Sequence, residues 1–553
     1  MPRAPGLSIL LPLAGLAAPL PASLPAGAAP RTSALSAYVR ARAADALGAP
    51  ARAAAGYAEA MAAAPGDERL GARAYRQALV AGDHALATRT ARLLDAAGAL
   101  PPDGALLLLA DSVAARDWRG AGTAVARIRH DDVFAFLVPV IEAWLAKGQG
   151  RGDPVGILDA APPGGLGRAY VAEHRALLLL AGRDVEAGVA AVLAQSLPAN
   201  GRGVRLRLAA AARLAGTGRR ERALALLAGE DGAFVAARAL LAARRPLPGA
   251  VTTPAEGIAE LYARVAADLS KQGMMPLAVS LARISSFLAP GNAEAWLMTS
   301  TMLAAGGLDA PALAALDPIA PDDPFAATAR DLKVQLLVRQ GERARALAEA
   351  EALAARAEAG PEDWARVGAL QARAGDNRAA ADAFARAIAV AGRGGAAVPW
   401  ALYLQQGDAL VQGGDWPAGK AALERALALA PDEPVLLNYL GYAKLERGED
   451  VAAARALVER AHALKPDDAA ITDSVGYAYL LGGELPRAIA AFERAVASEP
   501  GEADINEHLG DAYWHAGRRW EARYAWQAAL ITAEEPAAGR LRGKLDKGLA
   551  AAR

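Results

Sequence analysis

The feature that most constrains this chain is a spacing of 34 or 35 residues that two residue types keep near the C-terminus. Glycines recur at this spacing, and prolines recur with them: Gly407, Gly441, Gly476 and Gly510, then Pro431, Pro466 and Pro500. One period shared by two independent markers indicates an array of repeated structural units. A single unit of this size cannot bury its apolar face, so the units are expected to stack on one another.

Each unit reads as a helix A, a turn rich in Gly and Asp, a helix B and a turn that contains proline. The glycine of helix A is expected to let helix B approach closely, and a small residue followed one turn later by a large one is expected to fill the contact from helix B. These helix B positions are Ala488 with Phe492 in one unit and Ala522 with Trp526 in the next. The proline then ends helix B because its ring cannot continue the hydrogen-bond ladder.

The repeated pattern resembles that of the tetratricopeptide repeat family, W-x2-L-G-x2-Y, then A-x3-F, then P. One unit fits at Val475, Gly476, Tyr479, Ala488, Phe492 and Pro500, and the next fits at Leu509, Gly510, Tyr513, Ala522 and Trp526. The resemblance implies an all-α fold, a right-handed superhelix built of helical hairpins. Because weaker helix pairs continue toward the N-terminus, we expect roughly twelve to fourteen hairpins.

The chain has 553 residues, more than one globular core normally holds, so several domains or an array are expected. The predicted organisation is a signal peptide at 1–28, a degenerate N-terminal array at 29–245, a linker at 246–255, a C-terminal array at 256–536 and a capping helix at 537–553. The clearest repeats are predicted at 362–394, 400–433, 434–468, 469–502 and 503–536.

The first residues are typical of a secretory signal peptide. Arg3 precedes an apolar run, and Ala26 and Ala28 suit a cleavage site after Ala28. An Ala/Pro-rich leader without this role is the alternative. The apolar run is interrupted by prolines, so no integral membrane segment is expected once the signal is removed. The chain has no cysteine, which excludes lipid attachment through an N-terminal cysteine and favours a periplasmic protein.

The sequence offers no recognisable catalytic, cofactor-binding or metal-binding pattern. Gly414–Ala421 begins like a phosphate loop, but Ala421 stands where a Ser or Thr would hold magnesium, and the segment falls in a turn between two helices. The six histidines form no H-x3-H pair, and packing or surface roles are expected for His508 and His515. With 60 basic and 60 acidic residues, the balance does not favour a nucleic-acid partner. No enzymatic activity and no cofactor are therefore expected.

The resemblance implies that helix A lines a concave groove for an extended peptide or a partner helix. The predicted partner-binding residues are Asn438, Tyr442, Asp473, Tyr477, Glu507, Asp511 and Trp514. Tyr442 and Tyr477 either contact a partner or fill space between helices. The family's carboxylate clamp uses Lys and Asn at such positions, whereas this stripe is acidic and also includes Asp504. A basic or neutral partner segment is therefore expected.

The leading hypothesis is a non-enzymatic scaffold or adaptor of the bacterial cell envelope that binds a partner protein or peptide in its groove. The plan resembles that of long proteobacterial envelope proteins with these repeats, which implies a link to periplasmic proteolysis or to outer-membrane assembly. A cytosolic regulator with the same repeats is one alternative. An accessory repeat region of an enzyme is another, although the repeats run almost to Arg553 and leave little room for a catalytic domain.

Overall fold

The structure is a computed structural model that describes residues 33–549, with gaps at 162–166, 196–200, 230, 357–358 and 396. The predicted signal peptide at 1–28 lies outside the described residues. Across the described ranges the regular structure is helical, with no strand. None of these helices combines the length and the apolar character that crossing a membrane requires.

The chain divides into two compact units, the N-terminal unit, Met1–Pro318, and the C-terminal unit, Ile319–Arg553. The α-helices described in the N-terminal unit are α1 Ala34–Ala46, α2 Pro50–Ala63, α3 Glu68–Ala81, α4 His84–Ala96, α5 Pro102–Ala114, α6 Trp118–Asp131, α7 Val138–Gln149, α8 Pro154–Asp159, α9 Arg168–Ala181, α10 Val185–Leu193, α11 Arg202–Gly216, α12 Arg220–Leu226, α13 Gly232–Ala242, α14 Pro254–Lys271, α15 Met275–Leu288, α16 Ala293–Ala305 and α17 Asp309–Ala314. Those of the C-terminal unit are α18 Ala326–Arg339, α19 Arg343–Ala354, α20 Pro361–Arg373, α21 Asn377–Ala391, α22 Trp400–Gln412, α23 Trp416–Leu429, α24 Pro434–Glu446, α25 Val451–Leu464, α26 Ala469–Leu481, α27 Leu485–Ser498, α28 Ala503–His515, α29 Arg519–Thr532 and α30 Ala537–Lys547. Short 3-10 turns lie at Ala135–Leu137 and Arg393–Gly395.

Consecutive helices pack as hairpins. The thirty α-helices of the described residues form fourteen such pairs, and α13 and α30 remain single. This confirms the predicted all-α class and the predicted number of hairpins.

The turns inside these hairpins follow from glycine and aspartate. Gly414 ends the first helix of its hairpin at a φ of +83°, a left-handed conformation that glycine adopts without strain. Asp415 then caps α23 by accepting a hydrogen bond from the backbone N–H of Ala418 at 3.2 Å. The prolines Pro431, Pro466 and Pro500 are exposed and follow α23, α25 and α27 by two residues each.

The C-terminal unit is held by small clusters between successive helices rather than by one central core. Phe492 is fully buried with Ala488 between α26, α27 and α28. A Cβ atom placed on Gly476 would lie 2.7 Å from the Phe492 ring, so only glycine fits without movement. In the next hairpin Trp526 lies in the same way against Gly510, while in earlier hairpins Leu423 and Val458 lie against Gly407 and Gly441.

The N-terminal unit contains contacts between helices that are far apart in sequence. Helix α14 packs against α5, α7 and α9, and α15 packs against α3 and α5. The Tyr262 hydroxyl donates to the backbone oxygen of Leu106 at 3.2 Å, and Arg283 donates to the backbone oxygen of Val80 at 3.1 Å. Residues 246–255, where the sequence predicts a linker, and the whole of α14 and α15 lie inside this unit.

A cluster of buried charges joins α9, α11, α14 and α16 in the N-terminal unit. The Arg202 guanidinium pairs with Glu173, Glu260 and Glu294, and Arg205 pairs with Glu260. Three carboxylates therefore share two guanidinium groups. Burial and the neighbouring carboxylates raise the pKa of Glu294 to about 7, although the two arginines act to lower it. Burial opposes ionisation of Glu260 too, but Arg205 and Arg202 outweigh it and lower that pKa to about 2.

Candidate partner-binding groove

Two of the predicted binding tyrosines come together on neighbouring repeats of the C-terminal unit. Tyr442 of α24 and Tyr477 of α26 lie 35 residues apart in sequence, and their ring centroids are 5.5 Å apart. His508 of α28 continues the row, with its ring centroid 5.1 Å from that of Tyr477. Asn438 lies one turn before Tyr442 on the same helix. We call Asn438, Tyr442, Tyr477 and His508 the aromatic strip.

The polar atoms of the aromatic strip are only partly satisfied. The side-chain oxygen of Asn438 is buried and finds no hydrogen-bond partner among the described residues. Neither tyrosine hydroxyl of the strip has a hydrogen-bond partner in the described part of the chain, and both side chains are half-buried. Burial, followed by nearby carboxylates, raises the pKa of Tyr442 and Tyr477, so both hydroxyls stay protonated and able to donate. The strip thus offers an acceptor and two donors to a bound group.

Asp473 lies beneath the strip and holds His508. Its carboxylate oxygens lie 2.9 and 3.0 Å from Nδ1 of His508, and the Asp473 residue is only 6% exposed. Burial alone would lower the pKa of His508, but the Asp473 carboxylate outweighs burial and raises it. From the sequence, Asp473 is expected to be an exposed charge in the groove. In the structure its carboxylate is buried and paired with His508.

The remaining predicted residues, Glu507, Asp511 and Trp514, meet helix α30. The Lys544 ammonium lies 2.6 Å from Glu507 and 2.7 Å from Asp511. Burial opposes ionisation of Glu507, but Lys544 and then Arg540 outweigh it and lower its pKa.

Trp514 is held on three sides. Its ring centroid lies 5.3 Å from that of Trp526, the Arg519 guanidinium lies 3.8 Å above it, and Gly548 lies against its edge. In the structure, Glu507, Asp511 and Trp514 are therefore occupied by contacts with other residues of the same chain.

The segment that begins like a phosphate loop, Gly414–Ala421, has a structural role. It runs from the α22–α23 turn into the start of α23, and Lys420 pairs with Glu449. In the described part of the chain, no group of three His, Asp or Glu side chains is placed to hold a metal ion.

Two functional neighbours of the predicted residues, His508 and Lys544, have no signal in the repeat pattern itself. His508 follows Asp473 by 35 residues, and Lys544 follows Asp511 by 33. In both pairs a carboxylate and a cationic or histidine side chain lie about one repeat length apart in sequence, on neighbouring helices of the array. A search of the sequence for such pairs at 33 to 35 residues would have found both.

Comparison with known proteins gives a sequence match in the same region. The tetratricopeptide repeat pattern matches residues 404–469 and 476–538. No curated protein matches the chain.

Several solved structures are similar to parts of the chain or to most of it. MamA AMB-1 is 22% identical, covering 34% of this chain and 93% of its own, with a TM-score of 0.25. The thermophilic repeat protein TTC0263 of Thermus thermophilus is 21% identical, covering 34% of this chain and 98% of its own, with a TM-score of 0.29. A chain of the APC/C hetero-tetramer Cut9–Hcn1 is 15% identical, covering 93% of this chain and 96% of its own, with a TM-score of 0.36.

The matched residues span the last four hairpins, from α22–α23 to α28–α29, and include the aromatic strip. Residues 404–469 and 476–538 are therefore similar in sequence to tetratricopeptide repeats.

Proposed function

We propose that the C-terminal unit binds a segment of a partner protein along the aromatic strip, and that the chain acts as a non-enzymatic scaffold. The observation that supports this best is the set of polar atoms without partners on one face: the Asn438 oxygen and the hydroxyls of Tyr442 and Tyr477. The Asn438 oxygen is the buried one of the three, and a buried polar atom without a partner is costly and calls for an explanation. A peptide backbone, with donors and acceptors along its length, would satisfy all three.

The chemistry of the bound segment follows from the neighbouring charges. Asp473 is committed to His508, and Glu507 to Lys544 and Arg540. Since these two carboxylates are paired within the chain, the strip favours a neutral segment that offers backbone groups and an apolar or aromatic side chain. Aromatic anchors beside a few polar groups are the usual makeup of an interface hot spot.

The partner can be trapped with a photo-crosslinking amino acid at Val435, which is 44% exposed at the start of α24. The matched control places the same amino acid at Tyr524 on α29, which is 67% exposed. A protein captured from Val435 and not from Tyr524 is then purified, and its affinity for the chain is measured.

Tyrosine-to-phenylalanine variants separate binding from space filling. Tyr442→Phe with Tyr477→Phe keeps the ring packing and removes only the two hydroxyls, so the melting temperature should not change. If the strip binds the partner, affinity should fall about tenfold, since each lost hydrogen bond costs about 0.5–1.5 kcal/mol. Tyr524→Phe should bind like the wild type. Unchanged affinity of the double variant would mean that the tyrosines only fill space, and the proposal would fail.

We propose further that the chain works in the bacterial cell envelope, where it would serve proteolysis or outer-membrane assembly. This rests on Arg3, the apolar run and the Ala26/Ala28 site alone. N-terminal sequencing of the protein from its own cells should give a chain that begins near Ala29. Recovery of intact Met1 on most molecules would support the cytosolic alternative instead.

A further inference from the structure

A row of arginines without acidic partners lies on one face of α3 in the N-terminal unit. Arg69, Arg73 and Arg76 are spaced four and three residues apart, so they share a face of the helix. No carboxylate of the described residues forms an ion pair with any of the three. Arg73 lies over the ring of Tyr57 at 5.9 Å, and Arg69 and Arg76 are exposed. We call these three residues the arginine row.

Two hollows meet along the arginine row. The first has a volume of about 580 Å³ and is walled by α3, α15 and the ends of their neighbours, and its apolar lining includes Pro101, Met275, Leu277, Val279, Met302 and Leu308. The second has a volume of about 620 Å³ and lies toward α1, with Leu35 and Tyr38 in its wall. Ala72, Arg73 and Arg76 line both hollows. Apolar walls with a few placed charges are the usual composition of a binding site.

The acidic residues of the hollows have compensation of their own. Asp45 accepts hydrogen bonds from Tyr57 and Gln77 and lies 3.8 Å from Arg42. Asp67 caps the N-terminus of α3, where the helix dipole favours its charge.

Asp103 lies at the base of the first hollow. It is buried and accepts from the Tyr75 hydroxyl at 3.1 Å, and burial raises its pKa. Arg76 partly opposes this effect by favouring the charged carboxylate, although the two groups form no ion pair. Arg69 and Arg73 present positive charge that no carboxylate of the hollows pairs with.

We propose that the arginine row and the two hollows bind an extended acidic peptide segment that also carries apolar side chains. From Arg69 to Arg76 the row spans about 10 Å along α3, roughly the length of three extended residues. Carboxylates of the segment pair with the row, and an apolar side chain beside them enters the first hollow. This site differs in charge and in chain region from the aromatic strip, and it stands whether or not the strip binds a partner.

The test measures binding of a fluorescein-labelled peptide of eight alternating Glu and Leu residues to the full chain by anisotropy. The comparison peptides replace Glu by Lys, or Leu by Gly. The Glu–Leu peptide should bind at least tenfold more tightly than either, and more tightly at low salt because the pairs are partly exposed. Equal binding of the Lys peptide, or of the Gly peptide, would overturn the proposal.

The variants locate the site. Arg73→Glu with Arg76→Glu should weaken binding at least tenfold. The control, Arg89→Glu with Arg119→Glu, makes the same charge change at two exposed arginines of the same unit that do not line the hollows. Both proteins must keep the wild-type melting curve; if the first does not, Arg73→Gln with Arg76→Gln replaces it. Wild-type affinity in the arginine-row variant, or an equal loss in the control, would show that the peptide does not bind there.

Discussion

Single glycines set the distance between helices in the C-terminal unit. Gly476 lies against the ring of Phe492, and Gly510 lies against Trp526. At each of these helix crossings, one large aromatic side chain packs on a glycine that has no side chain of its own. This relation was predictable from sequence because both partners recur at the repeat period, and the period fixes which helix faces they occupy.

Replacing Gly476 by Leu should lower the free energy of unfolding by about 1–3 kcal/mol, since overpacking a well-filled core costs this much. The measurement is chemical denaturation of the purified protein. Gly501→Leu is the matched control, because Gly501 is exposed and nothing lies within 4 Å of where its Cβ would be. An equal effect of the two substitutions would show that the contact with Phe492 is not what makes Gly476 costly to change.

The pairing of His508 with Asp473 predicts a second residue-level effect. Because Asp473 raises the pKa of His508, the stability from this pair is complete below pH 6.5, the usual histidine value, and is lost as pH rises through the raised value. In Asp473→Asn the main group that opposes burial is gone and only the weaker influence of Asp511 and Asp504 remains, so the pKa of His508 should fall. NMR titration of the histidine resonances measures both.

Asp467→Asn controls for the loss of one carboxylate, since Asp467 is exposed and makes no hydrogen bond to His508 in the structure. A pKa of His508 that is the same in wild type and Asp473→Asn would contradict the assignment. The repeat motif itself does not mark this pair, because neither residue is a motif position, but its separation of 35 residues is one repeat length and could have been searched for.

At the scale of helices, the two units bury their apolar surfaces in different ways. The C-terminal hairpins contact mainly their sequence neighbours, which a periodic pattern describes well. In the N-terminal unit, α14 meets α7 where Gly257 lies directly against the Trp144 ring. That contact joins residues more than a hundred positions apart, and no local period encodes it. The all-helical class was therefore predictable throughout, while the packing of α14 and α15 was not.

The buried charges on α9, α11, α14 and α16 should make stability depend on pH. Because the pKa of Glu294 is raised to about 7, the unfolded chain releases this proton at lower pH than the folded one does. The contribution of Glu294 to stability should then decline between its unfolded pKa, about 4.3, and pH 7. In Glu294→Gln this decline should be absent, and the variant should melt higher than the wild type at pH 8.

Glu349→Gln is the control, since Glu349 forms a single ion pair with Lys333 in the other unit. The test compares the melting temperatures of the wild type, Glu294→Gln and Glu349→Gln from pH 4.5 to pH 8. A parallel pH dependence of wild type and Glu294→Gln would show that this carboxyl does not hold its proton in the folded chain.

At the scale of the whole molecule, the position of the boundary has an experimental consequence. Along the chain, the boundary between the two compact units falls between Pro318 and Ile319, so a fragment of residues 319–553 should be helical, monomeric and cooperative in its melting. A fragment of residues 256–553 carries α15 and all but the first two residues of α14, without α3, α5, α7 and α9. The apolar surface that α14 and α15 bury against those four helices would be exposed in this fragment. The fragment should therefore associate with itself and bind a hydrophobic dye.

Sedimentation and dye fluorescence of the two fragments distinguish these outcomes. If residues 256–553 are monomeric and bind no dye, the boundary lies at the predicted linker, 246–255, and α14 and α15 belong to the C-terminal array.

The contact of helix α30 with the α28–α29 hairpin is chemically different from the contacts between the preceding hairpins. Lys544 and Arg540 neutralise Glu507 and Asp511, which belong to the last complete hairpin. A gene duplication that inserted a repeat before residue 469 would leave both these ion pairs and the Asp473–His508 pair in place. One that inserted a repeat after 536 would separate two buried or half-buried carboxylates from their cations, at a cost of several kcal/mol. Evolutionary change in repeat number is therefore expected upstream, and relatives with different numbers of repeats should keep the α28–α29 hairpin together with α30.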